Sequence, residues 1–165
     1  MNLTEYKRRA LALAIYPQRG NNLTYTALGL DGETGEFCDK LKKEIRDRIE
    51  DSEGLLLELG DVLWYTVACA DECGQELAPP AEALPGLKIE GCALLMSKLS
   101  GRVSEDVLCG IAGGYIVVQL QNMLRVIATA AQVLGSSIEE VAEMNLEKLE
   151  SRARRGVLSG SGDER

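Results

Sequence analysis

The sequence predicts an all-α protein that folds as a single domain. No stretch of useful length alternates apolar and polar residues as a half-buried strand would. The aromatic inventory is thin, with one Phe, one Trp and five Tyr, so Leu, Ala, Val and Ile must fill the core, and this favours helices. A chain of 165 residues with 45% hydrophobic and 27% charged residues has the size and composition of one soluble globular domain.

The first half of the chain is expected to form three helices. Asn2 with Glu5 has the pattern of a capping box at the start of the first helix, and Pro17 is expected to end it. The second helix begins at Leu23 or Thr24 and runs to about Asp47. After a charged turn the third begins at Ser52, with Gly74 as its C-cap. The predicted apolar positions are Leu3, Tyr6, Leu11 and Ile15 in the first helix, and Leu28, Leu30, Phe37, Leu41 and Ile45 in the second.

The second half begins with a linker. Residues 75–85 contain three of the four prolines, which is typical of a connecting segment. Two helices are predicted next, at 86–100 and 104–134, the second of them interrupted at Gly113-Gly114. Ser137 with Glu140 has the pattern of another capping box and opens a last helix that ends near Arg155. The tail, residues 156–165, is rich in glycine and serine and is expected to be flexible.

Composition excludes several classes of function. A net charge of −8 disfavours partners that need a basic face, so we expect neither a nucleic acid polymer nor a membrane as partner. The absence of histidine excludes Ser-His and Cys-His nucleophiles and any zinc site that needs histidine. The five cysteines show no CxxC spacing, which predicts buried reduced thiols and a cytoplasmic location. The N-terminal segment lacks the pattern of a signal peptide.

The stretch 107–124 carries no charged residue. Gln119, Gln121, Asn122 and three glycines argue against a membrane span, because amides and glycines are unfavourable in lipid. We expect a helix that is buried on all sides in a bundle or at a subunit interface.

Two pairs of acidic residues suggest a metal site. Glu33 and Glu36 are three residues apart and share one helix face, and Glu58 and Asp61 repeat this spacing on the next helix. Folding the hairpin about its charged turn brings both pairs to a similar height. Four carboxylates in one place cannot all stay ionised alone, so they must bind protons or cations. Oxygen ligands favour Mg²⁺ or Mn²⁺. The other interpretation is two solvated acidic faces.

Here the sequence resembles a known family. The segments ALGLDGETGEFCDKLKKEIRD and ELGDVLWY are similar to those of MazG-type nucleoside triphosphate pyrophosphohydrolases, whose pattern is ExxE, a spacer and ExxD. The C-terminal NLEKLESRARRGVLSGSGDER is similar to the end of many such chains. The resemblance covers about residues 16–74 and 137–165. It implies a MazG-like helical bundle and Mg²⁺-dependent hydrolysis of a nucleoside triphosphate to the monophosphate and pyrophosphate, with dUTP, dCTP and non-standard deoxynucleotides as candidate substrates.

The resemblance also implies roles for individual residues. The four acids would be the metal ligands and catalytic residues, and one of them would act as general base. Residues expected at the substrate are Lys40, Lys43, Lys148 and Arg152 at the phosphates, Tyr65 near the nucleotide, and Asn145 at the sugar or base. The alternatives are a solvated basic face for Lys40 and Lys43 and a core position for Tyr65. Arg155 and the GSGD tail would close over the triphosphate. A homodimer or higher homo-oligomer is the expected assembly.

Residues 86–135 depart from a minimal domain of this type and are similar to a degenerate second copy of the hairpin. In that alignment Glu58 becomes Gln119 and Asp61 becomes Asn122, while Glu33 pairs with Glu90 and Glu36 with Ala93. The second hairpin is therefore expected to bind no metal and to buttress the first. Chance similarity between two amphipathic helices is the alternative.

Two functions follow from these patterns. The first is a nucleotide pyrophosphohydrolase in which the hairpin 16–74 is catalytic. The second is a non-catalytic helical scaffold or oligomerisation protein, whose acids form only a cation-binding patch. We favour the enzyme because all four acids are present in the first hairpin.

Overall fold

The computed structural model describes residues 1–80 and 82–157, and within these ranges it contains helices and no strand. The all-α prediction is thereby confirmed. The helices are α1 (Leu3–Ala12), α2 (Leu23–Asp47), α3 (Ser52–Glu72), α4 (Ile89–Leu108), α5 (Gly113–Val133) and α6 (Ile138–Arg155). From position 158 onward the predicted tail, including the GSGD segment, lies outside the described residues.

Side-chain caps start most of these helices. Asn2 accepts a hydrogen bond from Glu5 N at 2.9 Å, as the sequence predicts, but the Glu5 side chain pairs with Arg8 and does not complete the box. The predicted box of Ser137 and Glu140 is complete at α6. These contacts satisfy backbone N–H groups that have no partner inside the helix.

The helices form a bundle of two hairpins. Helix α2 packs against α3, and α4 packs against α5, while α2 also contacts α4 and α3 contacts α5. Each hairpin turn is short, so its two helices are antiparallel neighbours. Helix α6 lies against α3, α5 and α1, and α1 also contacts α3. The C-terminal helix is therefore placed beside the first hairpin.

The third and fifth helices bury the same positions. Both have 21 residues, and a shift of 61 superimposes their spans. At this shift nine of the ten buried residues of α5 fall on buried residues of α3. The pairs run from Leu55 and Ile116, through Leu59 and Leu120, to Ala70 and Ala131. This is the register that the sequence alignment assigned to these two helices.

The second and fourth helices correspond at a shift of 62. Arg48 and Gly110 end them in left-handed backbone conformations, with φ of 55° and 65°. In both turns the next residue is an isoleucine whose N–H donates to a carbonyl five residues back. Four buried residues of α2, namely Leu30, Thr34, Phe37 and Leu41, fall on Cys92, Met96, Leu99 and Val103, which are also buried.

This register corrects the sequence alignment of the first motif. The sequence alignment paired Glu90 with Glu33. The turn geometry and the burial pattern instead make Leu95 the counterpart of Glu33 and Lys98 the counterpart of Glu36. The alignment was wrong because it followed a short run of similar letters that ends in the exposed first turn of α4.

The first helix is shorter than predicted. It ends at Ala12 and not at Pro17, so Ile15 lies beyond it and is exposed. Glu72 at the end of α3 holds the following loop, because its carboxylate accepts hydrogen bonds from Tyr16 Oη, Gly20 N and Asn22 N at 2.6–2.8 Å. These tertiary contacts hold a loop where the sequence predicted more helix. As a result Tyr16 is buried and Ile15 is exposed.

The predicted apolar face of α2 was wrong at two positions. Leu28 is 68% exposed, and Ile45 is also exposed. The buried face is made by Leu30, Phe37 and Leu41, as predicted. The buried face of α2 is narrower than predicted, because only the sides of α2 that pack against α3 and α4 are covered among the described residues.

The predicted division of 86–134 was wrong. Helix α4 continues through Gly101 to Leu108, and Gly113 starts α5 without interrupting it. The uncharged stretch is therefore a helix end, a turn and a helix start, and Leu108 is 88% exposed. No helix among the described residues is long and apolar enough to cross a membrane.

The cysteines are only partly as predicted. All five are free thiols. Cys69 and Cys92 are buried, whereas Cys38 and Cys73 are half-buried and Cys109 is exposed. Cys109 follows the end of α4, in a turn whose residues 108–112 are all exposed.

Candidate active site

Three of the four predicted acids converge. Glu33 and Glu36 come from α2 and Glu58 from α3, and one carboxylate oxygen from each lies within 4.8 Å of the others. The i, i+3 spacing places the first two on one face of their helix, and the antiparallel turn brings the third to the same height. Three carboxylate oxygens at this separation fit a single hard cation such as Mg²⁺ or Mn²⁺ in their donor chemistry.

The fourth acid, Asp61, faces α6. Its Oδ1 accepts a hydrogen bond from Asn145 Nδ2 at 2.9 Å, and its Oδ2 accepts one from Lys148 Nζ. Asn145 is buried and in turn accepts a hydrogen bond from Tyr6 Oη at 2.7 Å. A chain of contacts from α1 through α6 therefore fixes the orientation of Asp61 beside the three glutamates.

The crowding of these acids changes their ionisation. Burial raises the pKa of Glu33 to about 7, and the negative charges of Asp61 and Glu36 add to this effect. Burial also raises the pKa of Glu58, again with help from Asp61. The nearby Lys148 ammonium acts in the opposite direction on both. An added cation would relieve this repulsion, because an opposite charge favours the ionised form.

The acids line an open cavity of about 970 Å³. Its wall also contains five basic residues, which are Lys40, Lys43, Lys148, Arg152 and Arg155. Lys40 pairs with Asp51 at 3.0 Å and Lys43 with Asp39 at 2.7 Å. The acids share the cavity wall with basic residues from α2 and from α6. Such a cavity can accept a metal ion together with the negative charge of a polyphosphate.

Two residues predicted at the substrate do not line this cavity. Asn145 lies beneath Asp61, with both ends of its amide engaged. Tyr65 is half-buried against Trp64, with ring centroids 4.7 Å apart, and its ring covers Gly29. A Cβ at Gly29 would lie 2.0 Å from Tyr65 Cε1, so glycine allows this ring to contact α2. Whether either residue touches a nucleotide stays a prediction.

A glycine beside the acids has a packing role. A Cβ at Gly60 would lie 2.9 Å from Asn145 Cβ, so the absence of a side chain lets α6 approach α3. Gly32 and Gly35 have open space around them and leave the cavity mouth free.

The sequence interpretation missed Tyr6 as part of the site. It assigned this residue to the apolar face of α1, where it is indeed fully buried. The available signal was its hydroxyl, since a fully buried tyrosine usually finds a hydrogen-bond partner. Asp39 and Ser151, which also line the cavity, were not predicted either.

Comparison with known proteins agrees with this geometry. Residues 21–82 match the model of the MazG nucleotide pyrophosphohydrolase domain, a range that contains all four acids. The domain defines a class of hydrolases that act on nucleotide pyrophosphate bonds. Over residues 21–82 the chain resembles that class.

A relative extends the similarity beyond this range. The Gene 37 protein of Mycobacterium phage L5 is 29% identical over 175 aligned positions, which cover 100% of both chains. The second hairpin and α6 therefore also have counterparts in that protein. No solved structure matches the chain.

Proposed function

We propose that the protein hydrolyses nucleoside triphosphates to monophosphate and pyrophosphate in a Mg²⁺-dependent reaction, with dUTP, dCTP and non-standard deoxynucleotides as the first candidates. The observation that carries this proposal is the convergence of Glu33, Glu36 and Glu58 within 4.8 Å, in a cavity that is also lined with basic side chains. The MazG domain match over the same residues supports it. Mn²⁺ is the alternative cation.

The glutamates would hold the metal ion. A bound Mg²⁺ would supply Lewis-acid chemistry by offsetting negative charge on the phosphate oxygens. One carboxylate of the cluster would accept a proton from the water that enters as the α–β phosphoanhydride bond breaks. Asp61, held by Asn145 and Lys148, would complete the negative environment of the site.

The basic residues would position the polyphosphate. Lys40 and Lys43 lie along α2, one and two turns after Glu36, while Lys148 and Arg152 approach from α6. Ammonium and guanidinium groups bind phosphate oxygens through charge-assisted hydrogen bonds. Helix α6 would thus hold the phosphates against the acidic hairpin.

We also propose that α4–α5 is a degenerate copy of α2–α3 that buttresses the catalytic hairpin. Its support is the shared pattern of burial in α3 and α5 and the matching turns of α2 and α4. At the corresponding positions the second hairpin has Leu95, Lys98, Gln119 and Asn122, so it lacks the charge to hold a divalent cation.

We propose a homodimer or higher homo-oligomer as the assembly. Leu108 and Tyr115, at the turn end of the second hairpin, are 88% and 72% exposed, and Val118 is also exposed. An apolar patch of this kind favours burial against another subunit. Sedimentation should show the oligomer, and Tyr115→Lys with Val118→Lys should weaken it. A wild-type protein that stays monomeric at all concentrations contradicts this assembly.

The proposed reaction is tested by pyrophosphate release from a panel of nucleotides. The panel contains the standard ribonucleotides and deoxynucleotides together with dUTP and non-standard deoxynucleotides, each with Mg²⁺ and with EDTA. We expect Mg²⁺-dependent release that is lost in Glu36→Gln and in Asp61→Asn. Glu53→Gln, an exposed acid in the first turn of α3 outside the cavity, is the control and should behave as wild type.

A negative outcome would favour the scaffold. If protein with a normal circular dichroism spectrum released no pyrophosphate from any nucleotide, the proposal would be wrong. The scaffold also predicts that Mg²⁺ raises Tm no more than an equal ionic strength of NaCl does.

A further inference from the structure

The second hairpin has its own cavity at the position that corresponds to the active site. This cavity has a volume of about 320 Å³ and lies between α4 and α5 beside the linker. Five of its lining residues, Leu95, Lys98, Arg102, Gln119 and Asn122, are the counterparts of Glu33, Glu36, Lys40, Glu58 and Asp61. The second hairpin therefore has a cavity at the corresponding place, but different side chains line it.

The charge of the second cavity is opposite to that of the glutamate cluster. Lys98, Arg102 and Arg125 line it, and no acidic residue of the described part of the chain does. This is unexpected for a chain with 26 acidic and 18 basic residues. The exchange of Glu36 for Lys98 reverses a charge, and the exchanges at 119 and 122 replace acids by amides. A cavity with this lining repels metal cations and attracts anions.

The cations of this cavity are available to a ligand. Lys98 and Arg102 are exposed and make no ion pair or hydrogen bond with another residue of the described ranges. Arg125 donates from Nε to the Glu82 carbonyl at 2.8 Å, which orients its guanidinium and leaves the terminal nitrogens for another acceptor. Gln119 and Asn122 add amide N–H donors.

The floor of the cavity is apolar. Four apolar residues line it, of which Leu99 and Val126 are buried and Leu84 and Leu95 are half-buried. An apolar floor with basic and amide groups at the rim suits a ligand that has a flat, weakly polar part and an anionic part. A nucleotide has both, since its base can lie on the leucines while its phosphates reach the cations.

We propose that this second cavity binds a nucleotide without a metal ion. The phosphates contact Lys98 and Arg102, Arg125 and the two amides add hydrogen bonds, and the base packs on Leu95 and Leu99. This site is distinct from the catalytic cavity and carries out no chemistry, because it lacks the acids that would hold a metal.

The test is nucleotide binding in excess EDTA by isothermal titration calorimetry. The probes are dATP, dCTP, dGTP, dTTP and inorganic pyrophosphate, each added to the full-length chain. Without a divalent cation the glutamates of the first cavity repel a triphosphate, so the remaining binding reports the second cavity. We expect at least one deoxynucleotide to bind more tightly than pyrophosphate, because only a nucleotide uses the apolar floor.

A matched pair of variants assigns the site. Lys98→Ala with Arg102→Ala should weaken metal-free binding by about 10-fold or more, since it removes two charge-assisted contacts. Lys148→Ala with Arg152→Ala removes two cations from the first cavity. This double variant should change metal-free nucleotide binding by less than about 2-fold. Lys98 and Arg102 are exposed and unpaired, so their removal should leave Tm and circular dichroism unchanged.

Three results would overturn the proposal. They are no deoxynucleotide binding in EDTA, equal binding by wild type and the Lys98/Arg102 variant, and pyrophosphate binding as tightly as every deoxynucleotide. None of them depends on turnover. A failure of the proposed hydrolysis leaves this measurement intact, and the reverse also holds.

Discussion

The hairpins α2–α3 and α4–α5 bury corresponding positions but present different chemistry to solvent. Leu59 and Leu120 are both fully buried at the same place in their helices, yet the neighbouring Glu58 and Gln119 differ by a full charge. Burial depends on shape and apolar surface, whereas site chemistry depends on a few residues at the edge of the buried stripe. The two can therefore change independently.

The rest of the chain distinguishes the hairpins further. Helix α6 contributes Lys148 and Arg152 to the first cavity, while the described lining of the second contains no residue of α6. Tyr6 and Asn145 orient Asp61, whereas no hydrogen bond from another residue of the described ranges orients Asn122. The first hairpin thus has supporting contacts from α1 and α6 in addition to its acids.

The largest expected difference between the hairpins is in activity. Glu33→Gln should reduce pyrophosphate release by about 10²-fold or more, because a bound metal stabilises the transition state by several kcal/mol and each 1.36 kcal/mol is tenfold. Glu90→Gln removes an exposed acid from the second hairpin and should change the rate by less than about 2-fold. Steady-state kinetics with Mg²⁺ measure both. Equal losses would break the distinction between the hairpins.

The next largest effect concerns the free energy of unfolding, which corresponding core substitutions in the two hairpins should lower by similar amounts. Leu59→Ala and Leu120→Ala each remove a fully buried side chain at corresponding positions. Each should lower the free energy of unfolding by about 2–5 kcal/mol, measured by urea denaturation. If Leu120→Ala cost less than about 1 kcal/mol, the second hairpin would be an appendage and not a buttress.

A smaller effect is expected at the support of Asp61. Tyr6→Phe removes the hydrogen bond to Asn145 Oδ1, so the amide that holds Asp61 loses its orientation. Activity should fall about 10-fold, with a higher Mg²⁺ concentration at half-maximal rate, as for other groups that orient metal-site residues. Tyr16→Phe is the control, since it loses a similar bond to Glu72 away from the cavity. Equal effects of both variants on Mg²⁺ dependence would contradict a positioning role for Tyr6.

The smallest expected effect is on the stabilisation that Glu72 provides at the far end of the first hairpin. The corresponding residue of the second hairpin is Val133, which carries no charge. Burial raises the pKa of Glu72, but hydrogen bonds from Asn22 N, Tyr16 Oη and Gly20 N outweigh it, and the pKa lies below its usual value. A lowered pKa in the folded state means that the stabilisation is complete above the unfolded value of 4.5 and is lost as pH falls through the folded value.

Glu72→Gln should therefore destabilise the protein by about 1 kcal/mol at pH 7, because hydrogen bonds to a partly exposed charge contribute modestly. The difference from wild type should shrink below pH 4.5, as urea denaturation at several pH values would show. A difference that is constant with pH would mean that the Glu72 charge does not hold the loop.

The acidic cluster could be predicted because its geometry is local. The i, i+3 spacing of Glu33 and Glu36 fixes their shared face, and a short turn brings Glu58 opposite them. The orientation of Asp61 could not be predicted in the same way. Its partners Asn145 and Lys148 lie 84 and 87 residues away in the sequence, and no local pattern reports such a contact.

The errors in the predicted fold have two causes. Leu28 and Ile45 have the period of a buried face, but burial depends on which neighbouring helices are present. The end of α4 was misplaced because glycine at position 101 is tolerated inside a helix, while Gly110, with φ of 65°, is the residue that ends it.

The sequence by itself determined the helical class, most helix starts and the meeting of three glutamates, since these follow from helix periodicity and capping between residues close in the chain. The tertiary structure alone decided the pairing of Asp61 with α6, the correspondence of α2 with α4 and the basic second cavity. Those features depend on contacts between residues far apart in sequence, and such contacts exist only once the helices have packed.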